Sequence, residues 1–155
     1  MTKIFSISLL FIISFLHASE RNIVDSISEN QRLQKLNELV IASQLSDILL
    51  DYENLTLFAP LDDAFAALSA KTYYGYLKEK NKDQLQNLIN FHFVEGVFTT
   101  ENVEDTINTK SINGLDLEIK KTNGILYVNG AEVVESNIRF SNGVIHLTNR
   151  VLIPK

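Results

Sequence analysis

Thr56-Leu57-Phe58-Ala59-Pro60-Leu61-Asp62-Asp63-Ala64-Phe65 reads as a strand running into a helix start. Leu55 to Ala59 is a short apolar run of strand length, and Pro60 ends it. Asp62 then stands where an N-cap carboxylate accepts hydrogen bonds from the free backbone N–H groups of the next turn, and Asp63 is a solvated neighbour favoured by the helix N-terminus. Ala64, Phe65, Ala66 and Leu68 continue as a compact helix. The position of Asp62, two residues after Pro60, is that of a cap and not of a catalytic acid.

Upstream the reading is helical. A short segment starts at Asn22, and a longer one over Leu33 to Ser43 places Leu36, Leu39 and Val40 on one face. Ile41, Leu45, Ile48 and Leu49 widen that face, while Arg32, Lys35, Asn37 and Glu38 look outward. Two more helical pieces follow at Tyr73 to Lys80 and Gln84 to Asn90. From Phe91 onward the period changes to two: Leu115, Leu117 and Ile119 alternate with Asp116, Glu118 and Lys120, the pattern of half-buried strands. The pairs Asn113-Gly114, Asn123-Gly124, Asn129-Gly130 and Asn142-Gly143 tolerate the positive backbone angles of tight hairpins, so the second half is expected to be an antiparallel meander. Helices first and strands later predict an α+β domain rather than a doubly wound parallel sheet.

The chain has 155 residues, 45% of them hydrophobic and 21% charged, which suits one globular domain. Its formal charge of -5, with no basic run, argues against nucleic acid and against a general attraction to anionic lipid. Lys3 precedes the apolar stretch Ile4 to Leu16, and Ala18 and Ser19 follow, the order of a secretory signal peptide. The stretch falls short of the roughly 20 residues that span a bilayer. A signal peptide over 1–18 and a single domain over 19–155 are therefore expected. The product is expected to be secreted, extracellular or periplasmic, monomeric, and without stable membrane insertion after processing. With no cysteine, it has neither an acylation site nor disulfides.

Catalytic and metal chemistry find little support. His92 and His146 lie far apart, belong to no His-x-His or His-Glu-x-x-His arrangement, and have no cysteine to complete a zinc site. Both are expected to be interior histidines satisfied by hydrogen bonds. There is no Gly-x-Ser-x-Gly elbow and no glycine-rich phosphate loop. The expectation is a protein that is not an enzyme and uses no metal and no cofactor. Tyr73, Tyr74 and Tyr76 form an aromatic group expected to pack on the core, and Asn54-Leu55-Thr56 is formally a glycosylation sequon.

Three stretches together resemble the fasciclin domain family. Thr56 to Phe65 is similar to the family's first signature, Asn142-Gly143-Val144-Ile145-His146-Leu147-Thr148-Asn149-Arg150-Val151-Leu152-Ile153-Pro154 to its second, and Leu88-Ile89-Asn90-Phe91-His92-Phe93-Val94-Glu95-Gly96 to its tyrosine-histidine segment. The resemblance implies strands in a wedge-like arrangement packed with several helices, and a role in adhesion to a surface or matrix protein or glycan. Two departures stand out: Leu61 replaces the usual threonine before the aspartate, and Phe91 replaces the tyrosine. In animal relatives the tyrosine-histidine region and an aspartate-isoleucine pair before the second signature are linked to integrin binding. Here that pair is Asn137-Ile138, so a contact through a metal-bound carboxylate is not implied. Phe91, His92, Asn137 and Ile138 are the candidate partner-binding residues by this analogy. The alternative is an extracytoplasmic small-molecule binder or enzyme with a pocket near His92 and His146.

Overall fold

The computed structural model describes residues 21–155, and the expected signal segment lies outside them. Asn22 caps the first helix, α1 (Ile23–Glu29), by accepting the Asp25 N–H at 2.9 Å. Helix α2 (Gln34–Ser43) buries Leu36, Leu39, Val40 and Ser43. Gln44 then turns left-handed at φ 60, and α3 (Ser46–Leu50) sets off from it. Leu45 and Leu49 go inside as expected, but Ile41, off the buried face of α2, is 63% exposed and Ile48 on α3 is 52% exposed, so the face widens only in part. Helix α4 (Ala70–Tyr76) starts at Ser69, whose hydroxyl accepts the Thr72 N–H, and a short 3-10 turn, Glu79–Asn81, leads into α5 (Lys82–Phe91).

Asp62 is a cap, but not of its own helix. Asp62–Ala67 forms a 3-10 helix with no side-chain cap. The Asp62 carboxylate instead accepts the Lys35 N–H at 2.8 Å, and the Asp62 N–H donates to the Arg32 carbonyl at 2.9 Å. Leu33, at the start of α2, has no capping side chain of its own, so a residue 27 positions downstream supplies the acceptor.

Seven strands follow: β1 (Leu55–Pro60), β2 (Phe93–Glu95), β3 (Thr106–Lys110), β4 (Asp116–Thr122), β5 (Ile125–Val128), β6 (Ala131–Phe140) and β7 (Gly143–Thr148). Their order in the sheet is β2-β1-β7-β6-β5-β4-β3. From β3 to β7 this is the expected antiparallel meander. The closing pair differs, because β7 runs parallel to β1 from Leu55↔Gly143 to Pro60↔Thr148. An isolated bridge, Val94↔Ser111, and the Ile112 N–H to Phe93 carbonyl bond at 2.9 Å bring β2 beside the end of β3, so the sheet curls until its edges meet.

Alternation along β1 then sorts its side chains into two cores. Leu55, Leu57 and Ala59 join Ile145 and Leu147 under the helices. Phe58 lies on the opposite side, with Val94, Leu117, Ile119, Val128 and Leu152 inside the curl. This is an α+β fold, as expected.

Two of the four Asn-Gly pairs make two-residue hairpins with both residues at positive φ: Asn123-Gly124 (51 and 80) between β4 and β5, and Asn129-Gly130 (45 and 77) between β5 and β6. At Asn113-Gly114 only the glycine is positive. Gly143 serves another purpose, since a Cβ there would lie 1.8 Å from the Leu55 carbonyl oxygen. Its missing side chain lets β7 approach β1.

Candidate functional site

His92 follows α5 and is 1% exposed. Its Nδ1 lies 2.8 Å from the Leu88 carbonyl, which can only accept, and its Nε2 receives the Leu152 N–H at 2.9 Å. Those partners define a neutral ring with the proton on Nδ1. Burial lowers its pKa to about 4, and the Leu88 bond offsets only part of that shift. The His92 carbonyl accepts the Phe58 N–H at 2.9 Å, so one residue joins α5, β1 and the segment after β7.

His146 on β7 has the opposite tautomer. Nε2–H donates to the Phe98 carbonyl at 2.6 Å, and Nδ1 accepts the Asn137 N–H at 3.2 Å. The ring stacks on Phe58 with centroids 5.5 Å apart. Burial lowers this pKa too, against the opposing pull of the Phe98 bond and of the Glu101 carboxylate. All four ring nitrogens of the neutral histidines are thus engaged with backbone groups. Among the described residues no group of three or more His, Cys, Asp or Glu side chains is placed to hold a metal ion.

Around Asn137 the backbone departs from regular pairing. The register of β6 on β7 shifts between Val133 and Glu135 and again between Glu135 and Ile138, and Asn137 has φ 61. Its side chain closes onto the loop between β2 and β3: Oδ1 accepts the Thr100 N–H at 3.1 Å, and Nδ2 donates to the Thr100 hydroxyl at 2.6 Å and to the Glu101 carboxylate at 3.2 Å. From β4, Lys121 Nζ donates to the Thr100 carbonyl at 2.6 Å. From β1, the buried Thr56 hydroxyl accepts the Phe98 N–H at 2.9 Å and donates to the Gly96 carbonyl at 2.8 Å. The result is a surface corner in which loop and bulge are tied by side chains from three strands. On the same strand, three residues before Asn137, Val134 is 48% exposed, and Glu135 pairs with Arg32 of the helical layer at 2.7 Å.

The four residues singled out in the sequence separate into two environments. Phe91 is 4% exposed and belongs with His92 in the interior. Asn137 and Ile138 lie half-buried on β6, with Ile138 opposite Ile145 and packed against the core under the helices. Thr56 belongs to the first signature stretch, but Thr100 and Glu101, which complete the corner with it, carry no pattern in the sequence that marks them. Of the tyrosines expected to pack on the core, Tyr73 is buried in it and Tyr76 packs against it, but Tyr74 is 62% exposed; the Tyr73 hydroxyl donates to the Glu38 carboxylate at 2.5 Å. Burial first, and that carboxylate second, raise its pKa.

A groove of about 700 Å³ opens elsewhere, between the segment after β7 and the start of β4. Phe91, Leu115, Ala131 and Leu152 contribute to its apolar lining, and Asp116, Glu118, Arg150 and Lys155 are its charges; neither histidine lines it. No helix of the described residues is long and apolar enough to cross a membrane.

Comparison with known proteins agrees with this architecture. The family model of the fasciclin domain matches residues 31–154. Protein sll1483 of Synechocystis is 35% identical over 88% of this chain and 75% of its own length. Human periostin is 30% identical over 88% of this chain, which spans only 16% of periostin. Among solved structures, a FAS1 domain pair from the insect cell adhesion molecule fasciclin I superposes with a TM-score of 0.75, at 12% identity, over 88% of this chain and 52% of that one.

Proposed function

The chain belongs to the fasciclin domain family, and from that premise we propose that it works outside the cytoplasm as a non-catalytic adhesion or surface-interaction module. The observation that carries the reading is the corner at Asn137 and Ile138. A partner binds with least entropic loss to groups already held in place, and here the bulge and the facing loop are locked by Thr56, Thr100, Lys121 and His146. The structure of an insect cell adhesion molecule shares this fold, which is consistent with the reading. The partner class is a surface or matrix protein or glycan. Because Asn137 is neutral, the contact should need no divalent cation. Phe91 and His92 contribute as the buried support behind the surface.

The test is adhesion of the purified protein to native cell-surface or matrix preparations, with Val134→Glu as the probe variant, because Val134 is exposed and its replacement leaves the cores intact. Reduced capture at unchanged melting temperature supports the corner; unchanged capture removes it. Export is tested separately by the intact mass of secreted protein, which should lack the first 18 or so residues expected to be read by signal peptidase.

The groove beside Phe91 favours a second reading, binding of a small amphipathic molecule, since its volume is in the range of ligand sites and its lining is mixed. A thermal-shift screen of amphipathic metabolites against the native protein and against Leu115→Glu decides it: stabilisation by a compound in the native protein alone supports this reading.

A further inference from the structure

We infer that His146 is an acid-releasable latch, holding the backbone of the β6 bulge against the Phe98–Glu101 loop at neutral pH and loosening that corner when its ring is protonated. The consequence for binding rests on the adhesive reading above, but the latch itself rests on geometry. The ring lies between two segments of different elements, a loop carbonyl on one nitrogen and a bulge N–H on the other. The Asn137 N–H can only donate, so Nδ1 must carry a lone pair for the joint to exist. A proton there puts two donors face to face, and the bond is lost. What it holds is a backbone excursion: Asn137 is one of few non-glycine residues at positive φ, a conformation that persists because its surroundings enforce it.

The charged groups near the ring decide when release occurs. From the loop, Glu101 favours the imidazolium and raises the pH of release. The Thr99 hydrogen bond first, and with it the charge of Arg139 on β6, lower the Glu101 pKa and so keep that carboxylate ionised. From β4, Lys121 reaches the Thr100 carbonyl and adds positive charge to the same corner. β1 presents the uncharged Phe58 ring and Thr56 hydroxyl. Burial opposes protonation, so the latch is closed at neutral pH and opens below the ordinary histidine range. His92 has no carboxylate among the causes of its shift to offset burial, so it stays neutral to lower pH and keeps the interior closed while the corner opens.

The experiment is amide hydrogen exchange and imidazole ¹⁵N NMR on the purified protein from about pH 7.5 to about pH 5, with rates corrected for intrinsic exchange. At the upper end the ¹⁵N shifts should show His146 protonated on Nε2 alone. As His146 titrates, protection at Asn137 and Thr100 should fall about tenfold or more while Leu57 and Leu147 in the central strands keep theirs. Glu101→Gln, an exposed substitution, should move the midpoint of that local loss to lower pH. Unchanged protection at Asn137 and Thr100 across the His146 titration overturns the latch, and so does loss of all amides together at one midpoint. Adhesion measured in parallel separates the two claims: local loosening with adhesion unchanged leaves the latch standing and removes the corner as the binding surface.

Discussion

Acidification should destabilise the domain through His92 well before its carboxylates titrate. The unfolded chain holds this histidine near its ordinary pKa of 6.5, and the fold lowers it to about 4 because the ring is buried between the Leu88 carbonyl and the Leu152 N–H. Below the ordinary value the unfolded state takes up a proton that the folded state refuses. The stability tied to neutral His92 is therefore complete above about pH 6.5, declines as the pH falls, and stops declining near pH 4, where the folded ring is protonated too. A shift of that size corresponds to about 3 kcal/mol across the window, at order of magnitude. His146 is shifted the same way and adds to the slope. Urea denaturation between about pH 7 and pH 5 should read about 2 kcal/mol of it, at constant ionic strength and above the range in which ordinary carboxylates titrate. His92→Gln, which cannot take up that proton, should be less stable at neutral pH but show a shallower fall. A native protein whose unfolding free energy is flat over this window would refute the reasoning. So would a variant with the same slope as the native protein, because the protons would then be taken up elsewhere.

Three further outcomes follow from single contacts. Asp62→Ala should cost about 1 kcal/mol, the usual worth of an N-cap, and NMR should place the main amide perturbation at Lys35 rather than at Ala64 or Phe65. Gly143→Ala should lower stability by about 3 kcal/mol or more, because the clash is with the Leu55 backbone and not with a side chain that can turn away; a near-native urea midpoint would refute the close approach of β7 to β1. Ile138→Ser should cost about 1 to 2 kcal/mol, part of the value for a fully buried aliphatic side chain, since Ile138 packs on the helical core while remaining half-exposed; loss of adhesion with no change in midpoint would make it purely a contact residue.

What was legible in the sequence was local. The Leu36, Leu39, Val40 face of α2 and the Leu117, Ile119 face of β4 repeat within a few residues, and each reports its element without reference to the rest of the chain. Partners distant in sequence leave no such period. Asp62 has the look of a cap, yet the N–H it accepts belongs to a helix 27 residues upstream, and only the packing of α2 against the 3-10 turn brings them together. Asn142-Gly143 has the composition of a hairpin, but the need for glycine comes from β1, far back along the chain.

The same distinction accounts for the partner-binding candidates. The two signature stretches contain β1 and β7, which lie side by side, and the tyrosine-histidine segment ends α5 against them. Their shared pattern is the pattern of an interior seam, which is why Phe91 and His92 are found inside. Asn137 and Ile138 precede the second signature and sit where β6 slips its register over that seam. A seam so closely packed that a Cβ cannot enter it at Gly143 gives His146 a fixed position, and His146 in turn fixes the backbone of Asn137. The path from family pattern to functional surface therefore runs through the core. The signatures set the seam, the seam orients a neutral histidine, and the histidine holds the irregular stretch of β6 around Asn137.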